Sequence, residues 1–400
     1  MWQGRVVTVV RNANESTGRR VLLIAGFLLI AANLRAALTS VGPLVEDVRD
    51  DLHLTGGQAG FMVTLPLLTF AAVSPLVPRL SRRFGDDQLL WVALALLTVG
   101  IVTRSLPVNA LLWVGTVLLG AAIAVGNVLL PSLIKRDFPD HVSAATGVYT
   151  AVMGIMASIG AGVAVPLAGA LPGGWRTALG CWAGITLIAL AVWSPRLRTP
   201  RAPLEAAGPL RPPWKSLLAW EVSAFMALSA CGFYTVLAWY PSILRSYGMS
   251  QETAGWLLFV YQIVGVLQSL LVPLALRKTR DQRLVAATSS MLALIGYVGL
   301  LVAPGLAVVW VVITGIGAGA LFFLALAFFS LRAADQRSSA SLAGMGQAIG
   351  YLLAACGPVL FGSLHDSTGG WRVPLLVLVG VAAAHTLIGL RAGRDAHVKV

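Results

Sequence analysis

The chain has 400 residues, of which 57% are apolar and only 11% are charged. Soluble domains carry about 25% charged residues, so this composition excludes a water-soluble globular protein. The formal net charge is +13, but the basic residues stand in short clusters between long apolar runs. That placement indicates membrane topology and argues against a nucleic-acid-binding surface.

Twelve apolar runs are long enough to cross a bilayer as helices, which takes about 20 residues each. The predicted spans are 21–45, 57–78, 88–106, 109–133, 142–171, 175–194, 217–243, 252–276, 284–303, 306–331, 339–363 and 371–390. The predicted fold is therefore an all-α membrane protein with twelve transmembrane helices in two pseudo-symmetric six-helix bundles.

The predicted division of the chain follows these spans. We expect a cytoplasmic N-terminal tail (1–19), an N-terminal bundle (20–195), a cytoplasmic linker (196–216), a C-terminal bundle (217–391) and a cytoplasmic tail (392–400). The first tail is basic and has no cleavage site after a short apolar core, so it does not read as a signal peptide.

Lysine and arginine are distributed unequally between the two sides. Twenty-three of the 29 fall in the tails, the linker and the even-numbered loops, five fall on the opposite side, and Arg35 lies inside a span. The positive-inside rule then places both termini in the cytoplasm, in a bacterial inner membrane.

The two halves repeat each other at an offset near 196 residues. The segment Gly173–Arg176 (GGWR) recurs as Gly369–Arg372, and Ala59-Gly60 at the start of the second span matches Ala254-Gly255 at the start of the eighth. Like-oriented repeats are typical of secondary transporters, whose substrate site lies between the halves near the bilayer midplane.

Arg35 is the leading candidate for a substrate-binding residue. It lies about midway between Arg20 and Glu46, where a guanidinium costs about 2.5–3.5 kcal/mol on insertion scales. Every acidic residue falls in a tail, a loop or a span end, and arginine does not lose its charge. We therefore expect a transported anion to balance Arg35; carbonyls, hydroxyls and water are the alternative.

Other polar and aromatic groups within spans are further candidates for substrate binding. Thr39 lies one helical turn from Arg35 on the same face, whereas Asn33 points elsewhere and is expected to bond a neighbouring helix. The remaining candidates are Asn127, Tyr149, Tyr234, Tyr261, Gln262, Phe322, Phe323 and Gln347. Matching the repeats aligns Phe233 and Tyr234 with Arg35, and an arginine on one wall that faces aromatic rings on the other suits a flat anion or a polar ring.

Three further expectations concern residues without an assigned chemistry. Trp239 and Tyr240 are expected to anchor the membrane interface, and the mid-span His385 is expected to be packed or to lie at the lipid edge, with a proton carrier as the alternative. The sequence contains no phosphate-binding loop, no Cys/His set with metal-ligand spacing and no nucleophile–base arrangement. We therefore predict neither an enzyme nor an ATP-driven pump, and no cofactor or metal.

Several segments resemble the Major Facilitator Superfamily, and within it the cyanate and 2-nitroimidazole transporter family. The matching segments are Asn33-Leu34-Arg35, Thr39–Pro43, Gly126–Pro131, Trp239–Leu244, Gly346–Tyr351 and Gly357-Pro358. The resemblance implies a twelve-helix carrier whose halves rock about a cavity formed by spans 1, 4, 7 and 10, which favours Arg35, Asn127 and Tyr234. In one departure, Arg82–Gly85 precedes Asp86-Asp87, so the superfamily's usual gating ion pair is not transferred.

The leading hypothesis is a monomeric secondary transporter for a small anionic or polar solute, with a coupled proton or counter-ion left open. A proton-driven multidrug or metabolite exporter is one alternative, although a cation exporter would be expected to have an intramembrane carboxylate. A transporter-like solute sensor is the other, although sensors more often carry an added soluble domain.

Overall fold

A computed structural model describes residues 22–198, 213–276, 281–334 and 336–398, and within these residues it contains twelve helices long and apolar enough to cross a membrane. The spans are α1 (Leu22–Leu52), α2 (Gly56–Phe84), α3 (Asp86–Arg104), α4 (Asn109–Asp137), α5 (Ala144–Ala170), α6 (Trp175–Leu197), α7 (Leu217–Ser246), α8 (Gln251–Leu274), α9 (Arg283–Val302), α10 (Pro304–Leu331), α11 (Ser341–Thr368) and α12 (Arg372–Ala392). The twelve-helix prediction is confirmed. The proposed tail 1–19 lies outside the described residues, as does most of the proposed linker.

The first span is a helix with a break. It is α-helical over 22–39, turns, and continues through a short 3₁₀ segment (Gly42–Leu44) into Val45–Leu52. Pro43 lacks the N–H that a continuous helix would need. The break also allows close approach, because a Cβ on Gly42 would lie 2.1 Å from the carbonyl oxygen of Leu237 in α7.

The two bundles contact each other at one face of the molecule. This face, which we call the closed face, carries the turns 53–55 and 247–250; the opposite face, where α1 begins and α12 ends, is the terminal face. At the closed face Arg49 Nη2 lies 2.7 Å from Asp366 Oδ1, and Gln251 Nε2 donates to Asp47 Oδ2 over 2.5 Å. Hydrogen bonds between the bundles run from there to Arg35 and Gln262.

Glycines make the contact between α2 and α11 possible. A Cβ on Gly60 would lie 2.2 Å from the carbonyl oxygen of Pro358. Nearby, the Thr64 hydroxyl donates to the carbonyl of Ala355 over 2.9 Å. The two backbones are therefore in direct contact, with no room for a side chain at Gly60.

A charged cluster at the terminal face lies within the N-terminal bundle. Asp87 at the start of α3 accepts from Arg136 (3.0 Å) and Arg196 (2.6 Å), and Asp137 contacts the same two arginines at 3.0 and 2.6 Å. Gly85, with a φ of 82°, lets the chain turn from α2 into α3 in one residue and so places Asp87 there. The rearranged charges thus link α3, α4 and α6 of one bundle.

We expect Asp87→Asn to destabilise the protein by about 3 kcal/mol, because it leaves two poorly solvated guanidinium groups with too few acceptors. The Asp87 side chain is 10% exposed. Thermal unfolding of purified protein measures the effect. Asp281→Asn is the matched control, since Asp281 and Arg283 are 51% and 52% exposed and such pairs contribute little. Equal unfolding temperatures for both variants would contradict the role given to the cluster.

Candidate functional site

The largest cavity described lies between the bundles at the level of Arg35. About 180 Å³ is accessible to the centres of water molecules, lined by residues of α1, α5, α7, α8 and α10. Its polar lining residues are Arg35, Thr39, Thr150, Tyr234, Tyr261, Gln262 and Ser269. The contacts at the closed face seal one end, and the cavity extends toward the terminal face along Thr150 and Ser269. Its position and size suit a small ligand.

Arg35 has one neutral hydrogen-bond partner across the cavity. Its Nη1 donates to the hydroxyl oxygen of Tyr234 in α7 over 3.3 Å, a long bond. The side chains of Tyr149 and Tyr351 also lie near it. No carboxylate of the described residues forms an ion pair with Arg35, so its charge is not neutralised and most of its five N–H donors remain available.

Aromatic rings form the wall opposite Arg35. The ring of Phe233 packs edge-on against Tyr234 with centroids 5.3 Å apart, and it lies 5.8 Å from the ring of Phe322 in α10. A planar ligand between this wall and the guanidinium would have apolar contact on one side and hydrogen-bond donors on the other.

The carbonyl of Ala157 in α5 connects the two bundles beside the cavity. It accepts from the Thr39 hydroxyl of α1 (2.7 Å) and from Gln262 Nε2 of α8 (3.2 Å). The Gln262 Oε1 and the Tyr261 hydroxyl are buried without a hydrogen-bond partner among the described residues. Both residues belong to the cavity lining, although these two atoms themselves are enclosed by protein.

Six of the eleven residues predicted from sequence line this cavity, namely Arg35, Thr39, Tyr234, Tyr261, Gln262 and Phe322. The other five lie outside its lining: Asn33, Asn127, Tyr149, Phe323 and Gln347. Asn33 instead donates to the Leu29 and Ile185 carbonyls and accepts from Thr186 of α6. A role in substrate binding is proposed below only for the six residues in the lining.

The resemblance implied that span 4 forms part of the cavity, but no residue of α4 lines the cavity described above. Gly126 of α4 packs on α1, where a Cβ would lie 2.5 Å from Leu34 Cδ2. This contact brings α1 and α4 together, and Asn127 is not among the lining residues of the cavity. Residues of α5 and α8 take the place of α4 in the lining.

The interface role expected for Trp239 and Tyr240 is wrong. Both side chains are fully buried; Trp239 Nε1 donates to the Pro358 carbonyl over 2.8 Å, and the Tyr240 hydroxyl contacts Thr314. They hold α7 to α11 and α10, so they shape the C-terminal bundle. His385 is packed as expected, 3.1 Å from the Ser229 hydroxyl.

Sequence reasoning missed several features around the cavity. Gly265 and Gly319 bring α8 and α10 into backbone contact within the lining, since a Cβ on Gly319 would lie 2.1 Å from the Gly265 carbonyl oxygen. Tyr351 was noted only within a longer motif. Sequence reasoning counts Arg104 only among the five basic residues on the side opposite the termini, although the residue is 2% exposed.

We expect Tyr234→Phe to weaken substrate binding by about fivefold, which corresponds to roughly 1 kcal/mol for one hydrogen bond. The change keeps the ring in the aromatic wall and removes only the hydroxyl that contacts Arg35. Tyr240→Phe, which removes a hydroxyl outside the cavity, should leave binding unchanged. Equilibrium binding of the substrate to the two purified variants makes the comparison, and equal affinities would contradict a role for the Tyr234 hydroxyl.

Comparison with known proteins places this chain in a family. The Major Facilitator Superfamily profile matches residues 22–355. The chain is 43% identical to the 2-nitroimidazole transporter of Escherichia coli K12 over 384 residues (95% of this chain, 97% of the relative) and 42% identical to the uncharacterized transporter YycB of Bacillus subtilis 168 over 380 residues (94% of each). It is 27% identical to the cyanate transport protein CynX of E. coli K12 over 369 residues (88% and 94%).

A solved structure shares the fold. A bacterial homologue of the human lysosomal transporter Spinster aligns with a TM-score of 0.77 and 16% identity, covering 93% of this chain and 96% of the other. Three observations indicate the same family: the twelve spans in the described residues, the cavity between two bundles and the matching profile. The chain belongs to the Major Facilitator Superfamily and is a membrane transporter of solutes, not an enzyme.

Proposed function

We propose that this transporter moves a small anion, or a small polar heterocycle, across the bacterial inner membrane by alternating access, and that Arg35 binds it. The observation that carries the proposal is the state of Arg35. It lies in the wall of the central cavity, and among the described residues it has one neutral hydrogen-bond partner and no ion pair. A buried guanidinium in that position is stabilised when an anion or a strongly polar oxygen reaches it.

The cavity indicates the substrate class. Its lining provides a planar cation on one side and the rings of Phe233, Tyr234 and Phe322 on the other. Relatives named for 2-nitroimidazole and for cyanate are similar to this chain over most of its length. A nitro group and a cyanate ion share small size and exposed oxygen or nitrogen acceptors. Both can accept hydrogen bonds from the donors of Arg35.

The asymmetry of the structure fits one half of a transport cycle. Contacts such as Arg49–Asp366 and Gln251–Asp47 hold the bundles together at the closed face, while the cavity extends toward the terminal face. The positive-inside rule assigns the terminal face to the cytoplasm. In this proposal the bundles separate at the closed face to load or release the substrate on the opposite side of the membrane.

Transport by reconstituted protein tests the proposal. Proteoliposomes containing the purified chain are incubated with radiolabelled cyanate or 2-nitroimidazole, with and without a pH gradient, beside protein-free liposomes. We expect time-dependent accumulation or exchange of at least one compound. Binding without movement across the membrane would favour a sensor, and a compound that moves equally well without protein would provide no support for a carrier.

A further inference from the structure

A second arginine without an acidic partner lies inside the N-terminal bundle. Arg104 ends α3 on the side of the closed face, and its side chain is 2% exposed. Its Nη2 donates to the Ala37 carbonyl over 2.8 Å. No carboxylate of the described residues forms an ion pair with it. Arg104 is therefore a buried guanidinium whose charge, like that of Arg35, is not neutralised by a carboxylate of the described residues.

The bond to Ala37 accounts for only one of the N–H donors of Arg104. The break in α1 leaves this carbonyl without its usual helical donor, because the N–H of Val41 bonds Leu38 instead. Arg104 replaces that donor with one N–H. Its Nε is buried and has no hydrogen-bond partner among the described residues. The bond to Ala37 therefore leaves the charge and a buried donor of Arg104 without a partner among the described residues.

Arg104 lines a cavity separate from the central one. About 20 Å³ is accessible to the centres of water molecules, and the remaining lining is mostly aliphatic. One water molecule needs about 10–15 Å³ by this measure, so the space holds one or two water-sized particles. A monatomic anion fits, whereas a nitro-heterocycle does not.

The small cavity and the central cavity share wall residues. Leu38 of α1 and Tyr234 and Leu237 of α7 line both cavities, and Tyr234 is the hydrogen-bond partner of Arg35. The wall between Arg104 and Arg35 is thus formed partly by the opposite bundle. Separation of the bundles at the closed face would remove that wall and open Arg104 to the same side as the incoming substrate.

We propose that Arg104 and this cavity form a second anion site, which takes a small monovalent inorganic anion of about the size of chloride. An apolar pocket with one charged donor group favours a weakly hydrated, singly charged ion, because a polyvalent anion would need more donors to replace its water. The site does not depend on the role proposed for Arg35, since its ligand contacts a different guanidinium in a different cavity.

Bromide, which scatters anomalously, tests the proposal directly. The full chain is crystallised in sodium bromide as wild type, Arg35→Gln and Arg104→Gln. We expect an anomalous peak beside Arg104 Nε in the wild type and in Arg35→Gln, and none there in Arg104→Gln. Glutamine is shorter than arginine and loses the bond to the Ala37 carbonyl together with the charge, so the unfolding temperature of this variant in gluconate serves as the control for folding.

Thermal unfolding supplies a second measurement in solution. Replacing sodium gluconate with sodium bromide at equal ionic strength should raise the unfolding temperature of wild type and Arg35→Gln by roughly 2 °C or more, and that of Arg104→Gln by much less. A wild-type crystal with no bromide at Arg104, or a peak that persists in Arg104→Gln, overturns the second site. Either result leaves the proposed function intact, because that function is tested separately, by transport in proteoliposomes and by the Arg35→Gln variant.

Discussion

Replacing Arg35 by Gln is expected to reduce the initial rate of substrate transport in proteoliposomes by about 100-fold or more. The guanidinium is the charged group of the central cavity lining, and among the described residues its hydrogen-bond partner is a neutral hydroxyl. Hydrogen bonds to a charged group contribute about 1.5–3 kcal/mol each, and two of them would account for the loss. Arg35→Lys should recover only part of the rate, because an ammonium group lacks the planar, bidentate donor geometry.

The stability of Arg35→Gln separates this prediction from a structural role. Because the arginine has no ion pair among the described residues, its removal takes a costly charge out of the membrane. The ligand-free variant should therefore unfold at the same temperature as wild type or at a higher one. A marked loss of stability would show that Arg35 is structural, and transport above one-third of the wild-type rate would contradict its role in binding.

Gly60→Val is expected to abolish transport for a different reason, because it prevents the bundles from meeting at the closed face. A Cβ at this position would lie 2.2 Å from the Pro358 oxygen and 2.5 Å from its carbonyl carbon. Backbone atoms cannot give way as a flexible side chain can, so the contact between α2 and α11 must open. Overpacking of this kind costs about 1–3 kcal/mol or more, enough to shift the closed population by tenfold to 100-fold.

The opening can be measured with a thiol reporter. Thr64 is 2% exposed at the same interface, so Thr64→Cys, in a background where the three natural cysteines are serine, should react slowly with a water-soluble maleimide. Adding Gly60→Val should accelerate the reaction at least tenfold while transport falls by a similar factor. Gly184→Val is the matched control, since nothing lies within 4 Å of a Cβ there. Equal labelling rates would show that the interface tolerates the side chain.

The transmembrane architecture follows from the sequence with little ambiguity. Apolar runs of sufficient length specify the spans, because an unpaired backbone cannot cross hydrocarbon. The repeat of Gly173–Arg176 at Gly369–Arg372 indicates the two halves. The depth of Arg35 also follows from its distance to charged span ends, and matching the repeats brings it opposite Tyr234, which the structure places 3.3 Å away.

Which side of each helix faces the cavity could not be predicted as well. In a membrane span both the lipid side and the packed side are apolar, so periodicity does not distinguish them. Asn127 and Gln347 have polar side chains deep in the membrane and yet lie outside the cavity lining. Gly265 and Gly319 have no side chain and lie within it. Close backbone contacts, which depend on pairs of helices, decide these orientations.

Whether a residue at a span end is buried is ambiguous for the same reason, because contacts between helices decide it. Arg104 follows an apolar run as a loop arginine would, and nothing in the neighbouring residues shows that it turns inward to the Ala37 carbonyl. The break in α1 that frees this carbonyl depends on how the segment after Thr39 packs against α7. Trp239 and Tyr240 resemble interface residues by position, but the contact with Pro358 in α11 buries them.

Binding to purified protein is the sharpest test of substrate recognition by Arg35. Cyanate and 2-nitroimidazole are titrated into wild type, Arg35→Gln and Asn127→Ala, and affinity is measured by calorimetry. We predict that at least one compound binds wild type and Asn127→Ala with similar affinity and binds Arg35→Gln at least tenfold more weakly. Equal affinity for wild type and Arg35→Gln would show that the ligand is held elsewhere in the protein.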